Sequence, residues 1–243
     1  MTTLVVRATG ATGSLLVEQL INRDQDVRVI VRSRGRLLDS VKDSPRLAVI
    51  EAAISDLTDE KISTHVSGCR VVASCLGHTL SFRGVFGPPR RLVTDAVRRL
   101  CLAIKASSPA EPVRFVLMSA AGIRNHDLKE QIPAGQKLII GLLRGLVPPH
   151  ADNEAAAAFL RNEIGQIDNE IEWAAVRPDT LIDEAAVSTY NAHASPTRSA
   201  IFNAGRTSRI NVAHFVAELV TDESLWQRWC GQMPVVYNQE TSS

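Results

Sequence analysis

Thr3-Leu4-Val5-Val6-Arg7-Ala8-Thr9-Gly10-Ala11-Thr12-Gly13-Ser14 is the stretch on which the fold turns. Residues 3–7 form a short run led by Leu4, Val5 and Val6, side chains that suit a buried strand. Small and glycine residues follow, and from near Gly13 the pattern changes period. Leu15, Leu16, Gln19, Leu20 and Arg23 are spaced so that the apolar ones return to one face, which predicts a helix. Residues 27–31 are almost all β-branched, as expected of a parallel strand covered on both faces. Strand, glycine turn, helix, strand is one βαβ unit of about 30 residues.

The alternation continues outward. Residues 46–50 predict a third strand, 59–66 a short helix, 71–75 a fourth strand and 113–118 a fifth. Between the last two, Leu92, Val93, Ala96, Val97, Leu100 and Ile104 line one face of a helix over 92–104. Arg90, Arg91, Arg98 and Arg99 then read as a solvated face. This order predicts an α/β protein with a Rossmann-type, doubly wound parallel sheet. Further on, Pro133 breaks a loop, 139–146 reads as helical, and Pro148-Pro149 ends that helix. Asp152 is the expected cap of a helix over 154–161, with Phe159 and Leu160 anchoring it. Residues 171–177 predict a sixth strand ending at Pro178, 201–203 an accessory strand, and Asn211 the cap of a helix over 212–220. Residues 235–237 are expected to close the sheet, and Trp226 and Trp229 to pack the final helical turn against it. No polar linker divides the chain, so the expectation is one NAD(P)-binding domain over 1–243. Its small C-terminal substrate lobe comes mainly from 120–210.

With 45% apolar residues, 27 basic and 26 acidic side chains, the chain can build a core but carries no general field for holding DNA or RNA. No nucleic-acid partner is expected. Neither a signal-peptide pattern nor a long uninterrupted apolar run is present, so the expectation is a cytoplasmic protein without a membrane partner. Cys69, Cys75, Cys101 and Cys230 lack CxxC spacing and fit free thiols in a reducing compartment. His65, Cys69, Cys75 and His78 fall at opposite ends of a strand, an arrangement that does not predict a metal site. Ser119 lacks the Gly-x-Ser-x-Gly context of a hydrolase nucleophile.

The chemistry resides in the glycine turn. Gly10 allows backbone to approach a pyrophosphate, Gly13 allows close packing of the helix, free N–H groups around Ala11 meet the phosphates, and Thr9, Thr12 and Ser14 add hydroxyls. The departure is Arg7, a large cation at the first position of a Gly-x-x-Gly-x-x-Gly turn. Either it reaches a phosphate or it alters the turn. After the second strand comes Arg32, then Ser33 and Arg34, where a site for an unphosphorylated ribose often has a carboxylate. A guanidinium there pairs with a 2′-phosphate, predicting NADP(H) in preference to NAD(H); the other reading is a solvated helix start. Asp56 either contacts the adenine amino group or is an exposed turn residue.

These motifs resemble the atypical short-chain dehydrogenase/reductase superfamily, especially its NmrA-like and flavin or biliverdin reductase-like NAD(P)H-binding members. The likeness also rests on Ser55-Asp56-Leu57, Phe115-Val116-Leu117-Met118-Ser119-Ala120-Ala121-Gly122, Val176-Arg177-Pro178 and Ser208-Arg209-Ile210-Asn211-Val212-Ala213. It implies that the turn binds cofactor phosphates and that the residue at Arg32 favours NADP. Residues 73–77, with Ser74 and Gly77, would run beside the riboses. Ser119 would lie near the nicotinamide, and the loop Arg177-Pro178-Asp179-Thr180-Leu181 would close over it.

The tyrosine-lysine pair of typical members is missing: Tyr190 is followed four positions on by Ala194, and Tyr237 by Thr241. The corresponding helix reads Asp152-Asn153-Glu154-Ala155-Ala156-Ala157-Ala158. An activated acceptor can still be reduced if orientation replaces the phenol. Ser119 is the candidate for orienting it, or else it satisfies backbone. His150 is the candidate proton donor, with His78 and His126 as further loop histidines. The expected activity is an NADPH-dependent reduction of a small hydride acceptor such as a quinone, flavin, imine or conjugated carbonyl, by a monomer or homodimer. The alternative is a non-catalytic NADP(H)-binding redox sensor or protein-interaction module.

Overall fold

A computed structural model describes residues 1–78, 90–128 and 148–239, together with 87, 130, 135 and 139. β1 (Thr2–Val6) leads into α1 (Ala11–Ile21) and β2 (Asp26–Val31). β3 (Leu47–Glu51), α2 (Asp59–Val66), β4 (Val71–Ser74), α3 (Leu92–Ala106) and β5 (Val113–Met118) follow. The sheet is eight-stranded. Its order runs β3, β2, β1, β4, β5, then β6 (Ile171–Pro178), β10 (Val235–Asn238) and β8 (Tyr190–His193). The pairs from β3 across to β10 are parallel, and only β8 runs against its neighbour.

The β-branched strands are covered on both faces, and their alternate residues serve opposite layers. Leu4, Val6, Val72, Phe115, Leu117 and Trp173 face a layer containing α2, α3 and α4 (Pro148–Phe159). Val5, Val29, Val71, Ala73, Val116 and Val176 face α1, α5 (Arg209–Thr221) and α6 (Glu223–Trp229). Trp226 and Trp229 are buried in that second layer, as expected, and the Trp226 indole N–H reaches Glu172. This is the expected Rossmann-type α/β fold. Its chain reverses direction across the sheet between β1 and β4, which leaves a crevice beyond the C-terminal ends of those strands.

Several local expectations are corrected. Pro148 and Pro149 are the first described residues of α4. The helix expected over 139–146 lies outside the described residues apart from 139. Asp152 is inside α4 and caps another helix, as described below. Ser208, not Asn211, caps α5 by accepting from the Asn211 N–H; the Asn211 side chain instead bonds Ser188 and Asn238. Residues 201–203 are turn and bend. The accessory strands are β7 (Thr180–Ile182) and β9 (Arg206–Ser208), a parallel pair beyond β6. β10 does not close the sheet, because β8 lies outside it. Arg98 and Arg99 are not simply solvated: Arg98 lies over the Phe159 ring, and Arg99 bonds Asp59 and the carbonyls of Ile54 and Leu57.

Candidate functional site at the sheet crossover

Arg7 follows β1 directly and has φ 63°, the left-handed region. Its carbonyl accepts from the Gly10 N–H at 3.0 Å, closing the turn that starts α1. A Cβ on Gly13 would stand 2.3 Å from that carbonyl oxygen, so only glycine fits there. At Gly10 a Cβ would meet the Arg7 side chain at 3.2–3.3 Å; the aliphatic part of Arg7 is therefore laid along the turn.

The N-terminus of α1 differs from those of α2, α5 and α6. Thr58, Ser208 and Asp222 cap α2, α5 and α6 with side-chain oxygens. Gly10 offers no such oxygen, and the first turn of α1 holds no acidic residue. Its leading N–H groups, at Ala11, Thr12 and Gly13, face the crevice side of the sheet without a carboxylate. Burial, and then the charges of Arg32 and Arg36, push the Arg7 guanidinium below the ordinary arginine range. Among the described residues, no hydrogen bond or ion pair holds the guanidinium of Arg7, Arg32 or Arg36. Arg34 does have a partner, the Lys42 carbonyl, and so is drawn away from this group. Sequence reasoning named Arg34 and missed Arg36; the short 3-10 turn Arg34–Arg36 made the exchange.

Ser74 and Ser119 occupy the C-terminal ends of neighbouring strands β4 and β5. Their hydroxyls are buried and have no hydrogen-bond partner among the described residues. The backbone reading for Ser119 does not describe its hydroxyl: the main chain is already served by its own N–H, which donates to Val176 at 2.7 Å. A Cβ at Gly77 would meet open space. Pro178 is buried at the end of β6, and its carbonyl accepts from Ala121 N–H at 2.9 Å, tying the two loops that flank the crevice. Asp56 is exposed and accepts from the Ser55 hydroxyl, while Leu57 is buried in the core. His126 is exposed.

α4 reaches both loops beside Ser74 and Ser119. His150, in its first turn, lies 3.7 Å from the position of a Cβ on Gly122. Asp152 is buried, and its carboxylate accepts from Val93 N–H at 2.8 Å and Thr94 N–H at 3.0 Å, so it caps α3 from a neighbouring helix. The Thr94 hydroxyl is 2.6 Å from Oδ1, and His78 Nε2 is 2.8 Å from Oδ2. No sequence spacing signals this contact between positions 74 residues apart. A separate polar cavity of about 660 Å³ lies on β8–β10, lined by residues such as Asn191, His193, Arg206 and Tyr237. It shares no residue with the turn or the two serines.

The profile of the NAD(P)H-binding family matches residues 8–223. The chain belongs to the NAD(P)H-binding family. Membership agrees with the turn geometry, since Gly10, Gly13 and the uncapped start of α1 form a cradle that a dinucleotide pyrophosphate fits. No curated protein matches the chain. Solved structures of similar fold include the oxidoreductase ylbE from Lactococcus lactis, at 18% identity and TM-score 0.70, covering 100% of this chain and 93% of that one. A short-chain dehydrogenase/reductase from Veillonella parvula in complex with NADP is 16% identical with TM-score 0.71, covering 100% and 96%. A Streptococcus pneumoniae protein named for NADH-flavin reductase activity is 16% identical with TM-score 0.67, covering 98% and 100%. The expected likeness to short-chain dehydrogenase/reductase-like proteins is thus found at the level of the fold, and the expected NAD(P)H-binding family by the profile match. No helix among its described residues is long and apolar enough to cross a membrane.

Proposed function

We propose that the protein is an NADPH-dependent reductase that passes a hydride to a small activated acceptor: a quinone, flavin, imine or conjugated carbonyl. The observation that carries this reading is the start of α1 at Gly10, which has no side-chain cap and no acidic residue in its first turn, beside Arg7, on which the charges of Arg32 and Arg36 act with no ion pair to any of the three among the described residues. A half-buried guanidinium beside two like charges is held at a cost that a bound polyanion removes. A dinucleotide with a 2′-phosphate supplies that charge, and an Arg pairs with it in bidentate fashion.

In this reading Thr9, Gly10, Ala11, Thr12 and Gly13 take the pyrophosphate and Arg32 the 2′-phosphate. Asp56 and Leu57 lie at the adenine, and Ser74 and Gly77 beside the riboses. A reduced nicotinamide, when bound, supplies the two electrons as hydride. Ser119 orients the acceptor through its buried hydroxyl, Pro178 bounds the ring, and His150 stands on the acceptor side. Among the described residues, α4 offers no tyrosine-lysine pair, which favours acceptors that need little acid assistance.

The test is calorimetric titration with NADPH and NADH, followed by turnover assays on a panel of quinones, flavins, imines and enones. Tighter binding of NADPH and oxidation by at least one acceptor class are expected. Tight binding without oxidation across the panel would move the assignment to a non-catalytic NADP(H) sensor.

A further inference from the structure

We propose that the polar cavity beside β8–β10 holds an anionic tail of the hydride acceptor, so that the acceptor carries a phosphate, sulfonate or carboxylate group. This rests on the reductase reading above and narrows its substrate class.

The cavity adjoins the acceptor side of the crevice. Ala121, two residues beyond Ser119, is buried against Val235 and Tyr237, and Tyr237 lines the cavity. The sheet register agrees. Val235 pairs with Arg177 on β6 and with His193 on β8, and Tyr237 pairs with Asn191. Paired residues share a face, so Tyr237, His193 and Asn191 lie on the face of Arg177. Ser119 is on that face too, being two residues beyond Leu117, whose partner Ala175 is two residues before Arg177. Only β6 separates β5 from β10, which puts Tyr237's strand roughly 10 Å from that of Ser119.

One segment bounds both places. Asp179 follows Pro178, the residue assigned to the nicotinamide ring, and its Oδ2 accepts from Gly205 N–H at 2.9 Å. A Cβ on Gly205 would stand 2.4 Å from the Tyr237 ring, so that ring is seated on bare backbone and forms a fixed floor.

The lining selects the chemistry of the occupant. A volume of about 660 Å³ suits a small molecule or part of one. Of the charged lining residues, Glu184 is already engaged by the Ser188 hydroxyl and the Asn238 amide, and Arg198 lies in the field of Asp179. Arg206 has no hydrogen bond or ion pair among the described residues and leaves the cavity an unmatched positive charge. Asn191 accepts from Gln239 at 3.3 Å, which turns its amide N–H groups outward as donors. A guanidinium fork with an amide donor beside it recognises a phosphate, sulfonate or carboxylate.

The experiment uses acceptor pairs that differ in charge: FMN against riboflavin, and naphthoquinone sulfonate against menadione. Each is assayed with NADPH on wild type, Arg206→Ala, Arg206→Lys and Arg206→Glu, with Arg46→Ala as a charge-matched control before β3, at the opposite edge of the sheet. Wild type is expected to favour the anionic member of each pair by about tenfold or more in kcat/KM, through KM. That ratio should fall toward one in Arg206→Ala, fall further in Arg206→Glu, and be partly kept by Arg206→Lys. It should survive in Arg46→Ala. FMN binding to NADP⁺-saturated protein, read by flavin fluorescence, should weaken by the same factor in Arg206→Ala. Arg206 is exposed, so these variants should keep the wild-type Tm.

Equal use of FMN and riboflavin by wild type, an unchanged ratio in Arg206→Ala, or an equal loss in Arg46→Ala would overturn the proposal and leave the reductase reading intact. NADPH binding with no turnover of any acceptor would overturn the reductase reading, and this proposal with it.

Discussion

The carbonyl oxygen of Arg7 stands 2.3 Å from the point where a Cβ on Gly13 would be built. One backbone atom of the cation at the head of the turn therefore fixes the identity of the residue six positions later. That carbonyl cannot retreat, because the Gly10 N–H is bonded to it. Gly13→Ala is expected to destabilise the protein by about 1–3 kcal/mol and to weaken NADPH binding, measured by urea unfolding and fluorescence titration. Unchanged values would show that the turn tolerates displacement.

Arg7→Gly separates backbone cost from ligand chemistry. The left-handed conformation at Arg7 costs roughly 1 kcal/mol relative to glycine, so the variant should unfold no earlier than wild type. Its affinity for NADPH should nevertheless fall by about tenfold, with a smaller loss for NADH, in calorimetric titrations. Tighter NADPH binding would mean that the Arg7 side chain obstructs the cradle.

Arg177 is fully buried and donates to Glu130 Oε1, to the carbonyls of Met233 and Ile123, and to that of Ala194. It ties β6 to the loop after β5 and to the segment before β10. Removing one partner of a buried ion pair strands the other, so Arg177→Ala should cost about 3–5 kcal/mol in chemical denaturation. A cost below 1 kcal/mol would show that Glu130 and the carbonyls find other donors.

The Tyr190 hydroxyl and His214 Nδ1 are 2.7 Å apart. Burial first, and then Arg23, push His214 below the ordinary histidine range, against a smaller opposite pull from Glu218. Burial and the charges of Arg28 and Lys61 lower His65 too. The unfolded chain therefore binds more protons than the folded one just below pH 6.5, the ordinary histidine value. Stability from these groups is full above that pH and is lost as pH falls toward their lower folded values. Tm measured from pH 7.5 downward should show this loss begin near about pH 6.5, ahead of carboxylate titration, and His214→Asn should shrink it.

Burial raises all four thiols, Cys75 to about 12 despite the nearby Arg7 charge. Thiolate is the reactive form, so native protein at pH 8 should resist iodoacetamide while urea-unfolded protein takes up four labels by mass spectrometry. Rapid native labelling at Cys75 would show that the end of β4 opens readily.

The legible part of this protein was local. The β-branched runs, the change of period at Gly13 and the βαβ rhythm placed β1 to β6 and most helices, because strand and helix periodicities are written in consecutive side chains. The positions of Arg32, Ser74 and Ser119 at strand ends were legible for the same reason, since each lies at or just after the end of a strand that the pattern marks. Caps were read less well: Asp152 and Asn211 have the right chemistry near a helix start, yet a carboxylate or amide bonds whichever N–H the packing presents.

The sequence by itself determined that a glycine turn joins an apolar strand to a helix, since glycine alone meets the steric demand and cover on both faces explains the continuous apolar runs of the strands. Only the tertiary structure decided that Arg36 joins Arg7 and Arg32 while Arg34 turns away, and that Asp152 crosses from one helix to cap another and hold His78. Those are contacts between segments far apart along the chain. Their energy depends on distance and shared burial, which no spacing of letters along the chain encodes.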